Sequence, residues 1–340
     1  MKIIVRSFVL AAAILSAVSQ VHAGSVDPFI ALNAGGAGPT NWRVLTMGSC
    51  TAAANLTVTA CDGATAENVN ITTNSQIIEG NVGISPIGNL SMSGAGSAIR
   101  NTLYIDTGVG GANNRYSLGT GTNIYGGIVA GGTTNTLLMT ATNAAMLAYN
   151  EALTNDSVTT CGGITNCTGI TANNITNLAT TLTITGGAGL NILDLSNLSI
   201  VSGGHLILQD SSGNAATFII DITGTFSVTN GGTIVEGANV NPKSVLFNVE
   251  GSSSAICIGG GAGCSGTTAN GTLVSGVILA PFRNVTINAA TVDGEVITGG
   301  GLNLSNKGSI EIPEPATLML LTTGLAGFGL RLRRLRRHPA

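Results

Sequence analysis

Short alternations of apolar and polar residues dominate the second half of the chain. They include TLTIT (181–185), LNILDLSNLSIV (190–201), HLILQ (205–209), ATFIIDI (216–222), TFSVT (225–229), SVLFNVE (244–250), LVSGVILA (273–280), NVTINAATVDGEVITGG (284–300) and LNLSN (302–306). Leu206/Leu208, Phe218/Ile220/Ile222, Phe226/Val228 and Val245/Phe247/Val249 each place one face of an extended segment into a core. Gly, Asn or Ser breaks the pattern at intervals of roughly eight to twelve residues, as successive short strands require. An antiparallel sandwich and a parallel β-solenoid both fit. The solenoid is favoured, because each coil buries its apolar side chains on its neighbours while turns of Gly and Asn recur with little need for charge. The repeat length is not uniform.

One segment has a different period. In TLLMTATNAAMLAYNEAL (136–153), Leu138, Ala141, Ala145, Ala148, Tyr149 and Ala152 return every three or four residues. This predicts an amphipathic helix rich in strong helix formers, its apolar stripe lying along the flank of the solenoid.

Both ends differ from the body. Lys2 and Arg6 precede an apolar run, and Val21-His22-Ala23 places small residues at the −3 and −1 positions of a cleavage site. This reads as a secretory signal peptide over 1–23, cut between Ala23 and Gly24. At the other end Pro313-Glu314-Pro315 stops regular structure. An uncharged, mostly apolar run follows from Ala316 to Leu330, then Arg331, Arg333, Arg334, Arg336 and Arg337. Such a run before an arginine cluster predicts a membrane helix with its basic end on the cytoplasmic side.

Composition narrows the partners. Residues 24–312 hold six basic and fifteen acidic residues, a net charge of −9, which speaks against nucleic acid. Only 9% of the chain is charged and 49 residues are glycine. The wealth of Val, Ile, Leu and Thr argues against disorder. The six cysteines fall into sequence-local couples, Cys50 with Cys61, Cys161 with Cys167, and Cys257 with Cys264. In an oxidising, exported setting these are disulfide candidates, although six cysteines allow fifteen pairings. With His205 the only body histidine and no CxxC, no metal site is expected, and neither is a cofactor, since no phosphate- or dinucleotide-binding fingerprint occurs. The acids that a polysaccharide-active enzyme would use are Asp194, Asp210, Asp221, Asp293 and Glu295, with Arg283. Asp293 and Glu295 alternate along one segment, about 6–7 Å apart, near glycosidase separations. Both flank Gly294 and are expected to be solvated, so no catalytic residue is assigned.

Two resemblances add to this reading. Residues 312–337, with the Pro-Glu-Pro triplet, apolar run and basic end in order, resemble the PEP-CTERM sorting signal of Gram-negative bacteria. The resemblance implies recognition by an exosortase in the inner membrane, cleavage near Pro313-Glu314-Pro315 and association with exopolysaccharide. GNVGISPIGNLSMSG (80–94), GGIVAG (126–131), TITGGAGLNILDLSNLSI (183–200), VLFNVEG (245–251) and GVILAPFRNVTINAATVDGEVITGGGLNLS (276–305) are similar to ice-binding-protein-like β-solenoids and choice-of-anchor A domains. That similarity implies an all-β, right-handed parallel β-helix with one long helix alongside, and adhesive, matrix or ice-binding roles. The expected organisation is a signal peptide (1–23), a disulfide-stapled segment (24–66), a solenoid body (67–310) and a sorting and anchor segment (312–337). The expected function is that of an exported, exosortase-sorted surface or matrix protein, anchored in the inner membrane as a precursor. A ligand-specific module, ice binding included, is the alternative, and an enzyme the third. Ice binding would need a long register of Thr-x-Thr rows, and none is seen in the sequence.

Overall fold

The structure is a computed structural model. It describes residues 27–311 apart from 35, 39–40, 54–56, 62–67, 74, 86–87, 108–114, 132, 156–160, 163, 167–172, 214–215, 253, 262–263 and 266–270. The expected signal peptide with Ala23 and Gly24, the motif Pro313-Glu314-Pro315, and the apolar run with its arginine cluster all lie outside the described residues. Among the described residues no helix is long and apolar enough to cross a membrane.

The strands form a β-solenoid with three faces. One face, here called C, is a nine-stranded parallel sheet. In spatial order it holds Tyr116–Leu118, Asn89–Met92, Asn68–Ile71, Leu302–Ser305, Val285–Asn288, Ile256–Gly259, Phe226–Val228, Asn197–Ile200 and Asn174–Leu178. The B face runs parallel to it through Asn123–Ile124, Ala98–Ile99, Ile77–Ile78, Ser309–Glu311, Thr233–Glu236, His205–Asp210 and Thr181–Gly186. The A face holds Ile128–Ala130, Leu103–Ile105, Val82–Ile84, Val44–Thr46, Val240–Val249, Ala216–Ile222 and Gly189–Leu195. Strands Thr272–Ala280 and Ala290–Thr298 turn the corner from B to A without a break, joining the two faces into one sheet. The bend needs glycine. Gly276 has φ +135°, and a Cβ there would lie 2.8 Å from Phe247 and 3.0 Å from the Val245 carbonyl.

The chain builds this body from both ends. Residues 68–130 form three coils at one end. The long helix Thr133–Asn155 then carries the chain to the far end, and residues 174–311 wind back until Leu304 pairs with Ile71. The lengths agree: 23 residues at 1.5 Å each give about 35 Å, while nine coils at about 4.8 Å span about 38 Å. The middle coil is composite. Leu302–Ser305 and Ser309–Glu311 supply two sides, and Val44–Thr46 supplies the third by pairing with Val296–Thr298 and Val82–Ile84. The far end is closed by short antiparallel strands, Cys161–Gly162 and Ile164–Asn166.

Inside, the alternating apolar positions meet across the coils, Phe226 stacking on Phe247 at 5.2 Å. Outside, the helix lies on the A face. Ala141, Ala145 and Ala148 let it approach Leu45, Ile219, Leu246, Val277, Leu279 and Ile297, all buried. The helix is longer than its apolar stripe alone predicts, and a second one, Pro28–Ala34, packs against it. Seven residues are too few for a periodic signal, so the sequence pattern did not mark this helix.

Two of the three expected cysteine couples are disulfides in the structure, Cys50–Cys61 and Cys257–Cys264. The third differs from them. Cys167 lies outside the described residues, so the expected bond between Cys161 and Cys167 is not among the disulfides that the structure describes. The backbone of Cys161 is described, and it pairs with Leu193 on the end coil.

Candidate binding faces

Among the described residues no helix covers the C face, and its strands carry no charge. None of its nine strands contains Asp, Glu, Lys, Arg or His. Apolar residues point in, and the outward positions align from coil to coil. Ser117, Ser91, Asn70, Asn303, Thr286, Cys257, Ser227 and Ser199 pair in unbroken register, one per coil. Adjacent members are thus held about 4.8 Å apart by the sheet itself. Some link sideways: Asn70 Nδ2 donates to Asn303 Oδ1 (3.1 Å) and Ser227 Oγ to Ser199 Oγ (3.2 Å). A second, shorter ladder edges the face, with Asn89 donating to Asn68 (3.2 Å) and Asn197 to Asn174 (2.8 Å). Cys257 of the row is tied to Cys264. Short hydroxyl and amide side chains on a fixed ladder offer donors and acceptors at a constant repeat.

The B face is mixed. Thr181, Thr183 and Thr185 form a Thr-x-Thr triplet on the end coil. On the next strand His205, Ile207 and Gln209 occupy the same positions, then Thr233 and Val235. The triplet does not propagate. His205 Nδ1 lies 2.8 Å from Thr233 Oγ1, and Gln209 Nε2 donates to Thr185 Oγ1 at 3.1 Å. His205 is an exposed member of a surface ladder.

The candidate acids are dispersed among three environments. Asp210 is buried in a turn, accepting from Ser212 N (2.8 Å) and Ser212 Oγ (2.9 Å). Asp194 and Asp221 stand in register on neighbouring coils of the A face. Asp221 accepts from Asn248 Nδ2 (2.8 Å) and is buried. Nearby Tyr149, on the helix, has its hydroxyl pushed up by burial and further by Glu250 and Asp221. Arg283 is buried and donates to the carbonyls of Gly251 (3.1 Å), Thr223 (2.8 Å), Gly224 and Glu250. It clamps turns of neighbouring coils. Arg115 does the same for Gly88 (2.7 Å) and Ser85 (2.8 Å).

Asp293 and Glu295 are not a solvated pair. Gly294 between them is where the strand bends, so Asp293 belongs to the B face while Glu295 pairs with Val277 under the cover of the A face. Glu295 is 0% exposed, and neither carboxylate oxygen meets a hydrogen-bond donor among the described residues. Burial holds its carboxyl well above the usual range, and Arg43 pulls it partly back. Glu236, at the same corner, is pushed up to about 7 by burial, against the pull of a Ser275 hydrogen bond. Among the described residues no group of three or more acids, histidines or cysteines is placed to hold a metal ion.

Two shallow clefts open at corners. One, of about 370 Å³, is lined by Ser49, Cys50, Ser252, Phe282, Asn284 and Gly300. The other, of about 390 Å³, lies between Glu79, Gly80, Arg100 and Asn101. Neither gathers an acid with a base and a nucleophile. The tripeptide Asn-Leu-Ser, which periodicity alone passed over, occurs on three strands of the C face, giving the row Ser91 and Ser199 at 89–91 and 197–199 but Asn303 at 303–305.

Two family models match the chain. That of the ice-binding-like adhesive domain matches residues 32–311, and that of the PEP-CTERM protein-sorting motif matches residues 311–334. Among solved structures, the ice-binding protein LeIBP from an Arctic yeast is similar at 15% identity and TM-score 0.43, with 82% of this chain and 94% of that one covered. An ice-binding protein from the Antarctic ascomycete Antarctomyces psychrotrophicus gives 12% identity and TM-score 0.42, with 83% and 98% covered. The DUF3494 domain of Shewanella frigidimarina ice-binding protein 1 gives 16% and 0.42, with 78% and 100% covered. No curated protein matches the sequence.

Proposed function

The chain belongs to the ice-binding-like adhesive domain family, and on that premise we propose that it is an exported, non-enzymatic adhesion or matrix protein whose C face holds a neutral, hydrated polysaccharide. The observation that carries this reading is the uncharged row from Ser117 to Ser199, which runs through eight of the nine coils. Each hydroxyl or amide contact is weak, but contacts fixed on one rigid ladder act together, and their strengths compound. The body's net charge of −9 disfavours anionic polymers, whereas the C face has no charge to desolvate when a neutral one docks.

In this reading residues 1–23 direct export and are removed between Ala23 and Gly24. The apolar run and the arginines at 331, 333, 334, 336 and 337 hold the precursor in the bacterial inner membrane until an exosortase cuts near Pro313-Glu314-Pro315. The disulfide-stapled segment 24–66 lends the strand Val44–Thr46 to one coil of the solenoid body. Export to an oxidising compartment also lets Cys161 and Cys167 close a third disulfide. Exopolysaccharide is the natural ligand for a protein delivered this way.

The test uses protein released from an exosortase-positive host, co-sedimented with that host's exopolysaccharide. Wild type should bind, and the triple substitution Ser91→Lys, Asn303→Lys, Thr286→Lys should weaken binding at least tenfold. Equal binding by both proteins would sink the C face assignment. Ice growth inhibition by the same protein, removed by changes at Thr181, Thr183 and Thr185, would favour an ice-binding reading instead.

A further inference from the structure

The described chain ends on the strand Ser309–Glu311, at the corner where face B turns to face A. The position that the next strand would take on face A is already filled by Val44–Thr46. Glu311 lies on the fourth of nine coils counted from the end formed by residues 116–130, and the place beside it on face A is taken. Only Ile312, Pro313, Glu314 and Pro315 separate Glu311 from the apolar run that begins at Ala316. Five fully extended steps reach about 17 Å. A body about 38 Å long that is tethered this closely, near its middle and at one edge, has little freedom to stand away from the bilayer.

The edge in question has a composition to match. Running from the exit towards the nearer end, the corner presents Glu79, then Arg100, then Tyr125. The Arg100 guanidinium lies 5.3 Å over the Tyr125 ring. Tyr125 is 62% exposed, and Ile128 and Val129, on the A-face strand of the same end coil, are also exposed. These three, of the eight exposed large hydrophobic side chains among the described residues, stand together at the B–A side of one coil. An aromatic ring beside a cation, with aliphatic side chains next to it, suits the headgroup level of a bilayer, where Tyr rings settle and Arg meets lipid phosphate. The opposite side of the triangular section is the C face.

We propose that the B–A edge from Glu311 to Tyr125 and Val129 is a membrane-contact surface, which lays the tethered precursor on the outer side of the inner membrane with its C face pointing away. The inference rests on the sorting reading. It goes beyond that reading by saying which edge meets lipid and which face is free for ligand while the anchor persists. It also predicts that the C face can bind before the tail is cut.

The experiment uses the full chain in membranes of an exosortase-null host, where the tail is retained. Asn101→Lys places an amine on the proposed edge, and Asn303→Lys places one on the C face. Both positions are exposed, and the native Lys307 serves as an internal reference. A membrane-impermeant amine reagent is applied from the outer side, and modification at each lysine is followed by mass. A matched chain carries twenty flexible Gly/Ser residues after Glu311. In the native-length chain, Lys at 101 should react at least fivefold more slowly than in the linker chain, while Lys at 303 and Lys307 react equally in both. Equal rates at 101 in the two chains would overturn the contact surface while leaving the sorting reading intact. Protection that persists with the linker would also overturn it, since something other than the short tether would then cover the edge. Recovery of the unprocessed chain in the soluble fraction would overturn both.

Discussion

The A and C faces share one backbone design and have opposite surfaces. Both are parallel ladders of short strands whose inward residues feed the same core. On the A face the outward positions are Leu45, Ile219, Leu246, Val277 and Ile297, covered by the long helix and the N-terminal segment. On the C face they are Ser, Thr and Asn with Cys257, and no helix among the described residues covers them. A coil of a solenoid is thus stable with either surface, because the interior supplies the burial. The outward residues decide only whether a face recruits protein or stays open to something else.

The sharpest way to break the comparison is to place the same charge on each face. Val277→Asp buries an unpaired carboxylate beneath the helix and is expected to cost more than about 4 kcal/mol, enough to prevent folding. Thr286→Asp, on the C face, should stay within about 0.5 kcal/mol of wild type. Denaturant midpoints of the two variants decide it, and similar losses would mean that the C face is also covered.

Next come the disulfides, one beside the A face cover and one in the C face row. Cys50→Ser with Cys61→Ser opens a link across 11 residues and should cost about 2–3 kcal/mol, read as a lower melting temperature. Cys257→Ser with Cys264→Ser opens one across 7 and should cost slightly less, while also disturbing the row proposed to bind ligand.

A subtler test uses pH. Glu295 sits on the covered face with its carboxyl held above the ordinary value of 4.5, chiefly by burial. A group raised in this way keeps its proton in the folded protein after the unfolded chain has lost it. Its contribution is whole below about pH 4.5 and is lost as pH rises towards the folded value. Glu295→Gln should therefore flatten the fall of stability with rising pH. A carboxylate installed on the C face, as in Thr286→Glu, should add no such slope. If urea midpoints of Glu295→Gln follow the wild-type pH profile, the carboxyl is not isolated from solvent as its burial implies.

The smallest effect on stability should come from Ser227→Ala, which removes one hydroxyl from the row and one 3.2 Å contact. It should change unfolding by less than about 0.5 kcal/mol, yet weaken polysaccharide co-sedimentation measurably, because every rung of a multivalent row contributes.

Much of this was legible from residues alone. Alternations such as Phe218/Ile220/Ile222 marked strands because a period of two is a local property. Leu138, Ala141, Ala145 and Ala148 marked the helix for the same reason, with a period near 3.6. The Pro-Glu-Pro triplet, apolar run and arginines needed no fold to be read. Closeness along the chain was enough to pair Cys50 with Cys61 and Cys257 with Cys264. The same argument for Cys161 and Cys167 stays an expectation, because Cys167 is not among the described residues. The unequal repeat was also correctly seen, and its cause is now clear. Successive C-face partners lie 17 residues apart at Val285 and Leu302 but 30 apart at Val228 and Ile258, because the corners hold turns of different length. What the sequence did not contain was the spatial order of the coils. Residues 302–304 pair with 69–71 across more than two hundred residues, and Val44–Thr46 fills the place on face A between Val296–Thr298 and Val82–Ile84. Pairings between segments this remote depend on loop closure and on which edges remain open, so no local pattern encodes them. The fate of Asp293 and Glu295 turned on the same distinction. Their alternation was visible, but whether a neighbouring glycine makes a turn or bends a continuous strand under a helix is decided by what packs outside it. The chain's local chemistry determined strands, helix and sorting signal. Tertiary structure alone decided which polar residues align into one bare face and which carboxylate is sealed away, because both depend on neighbours that are remote along the chain.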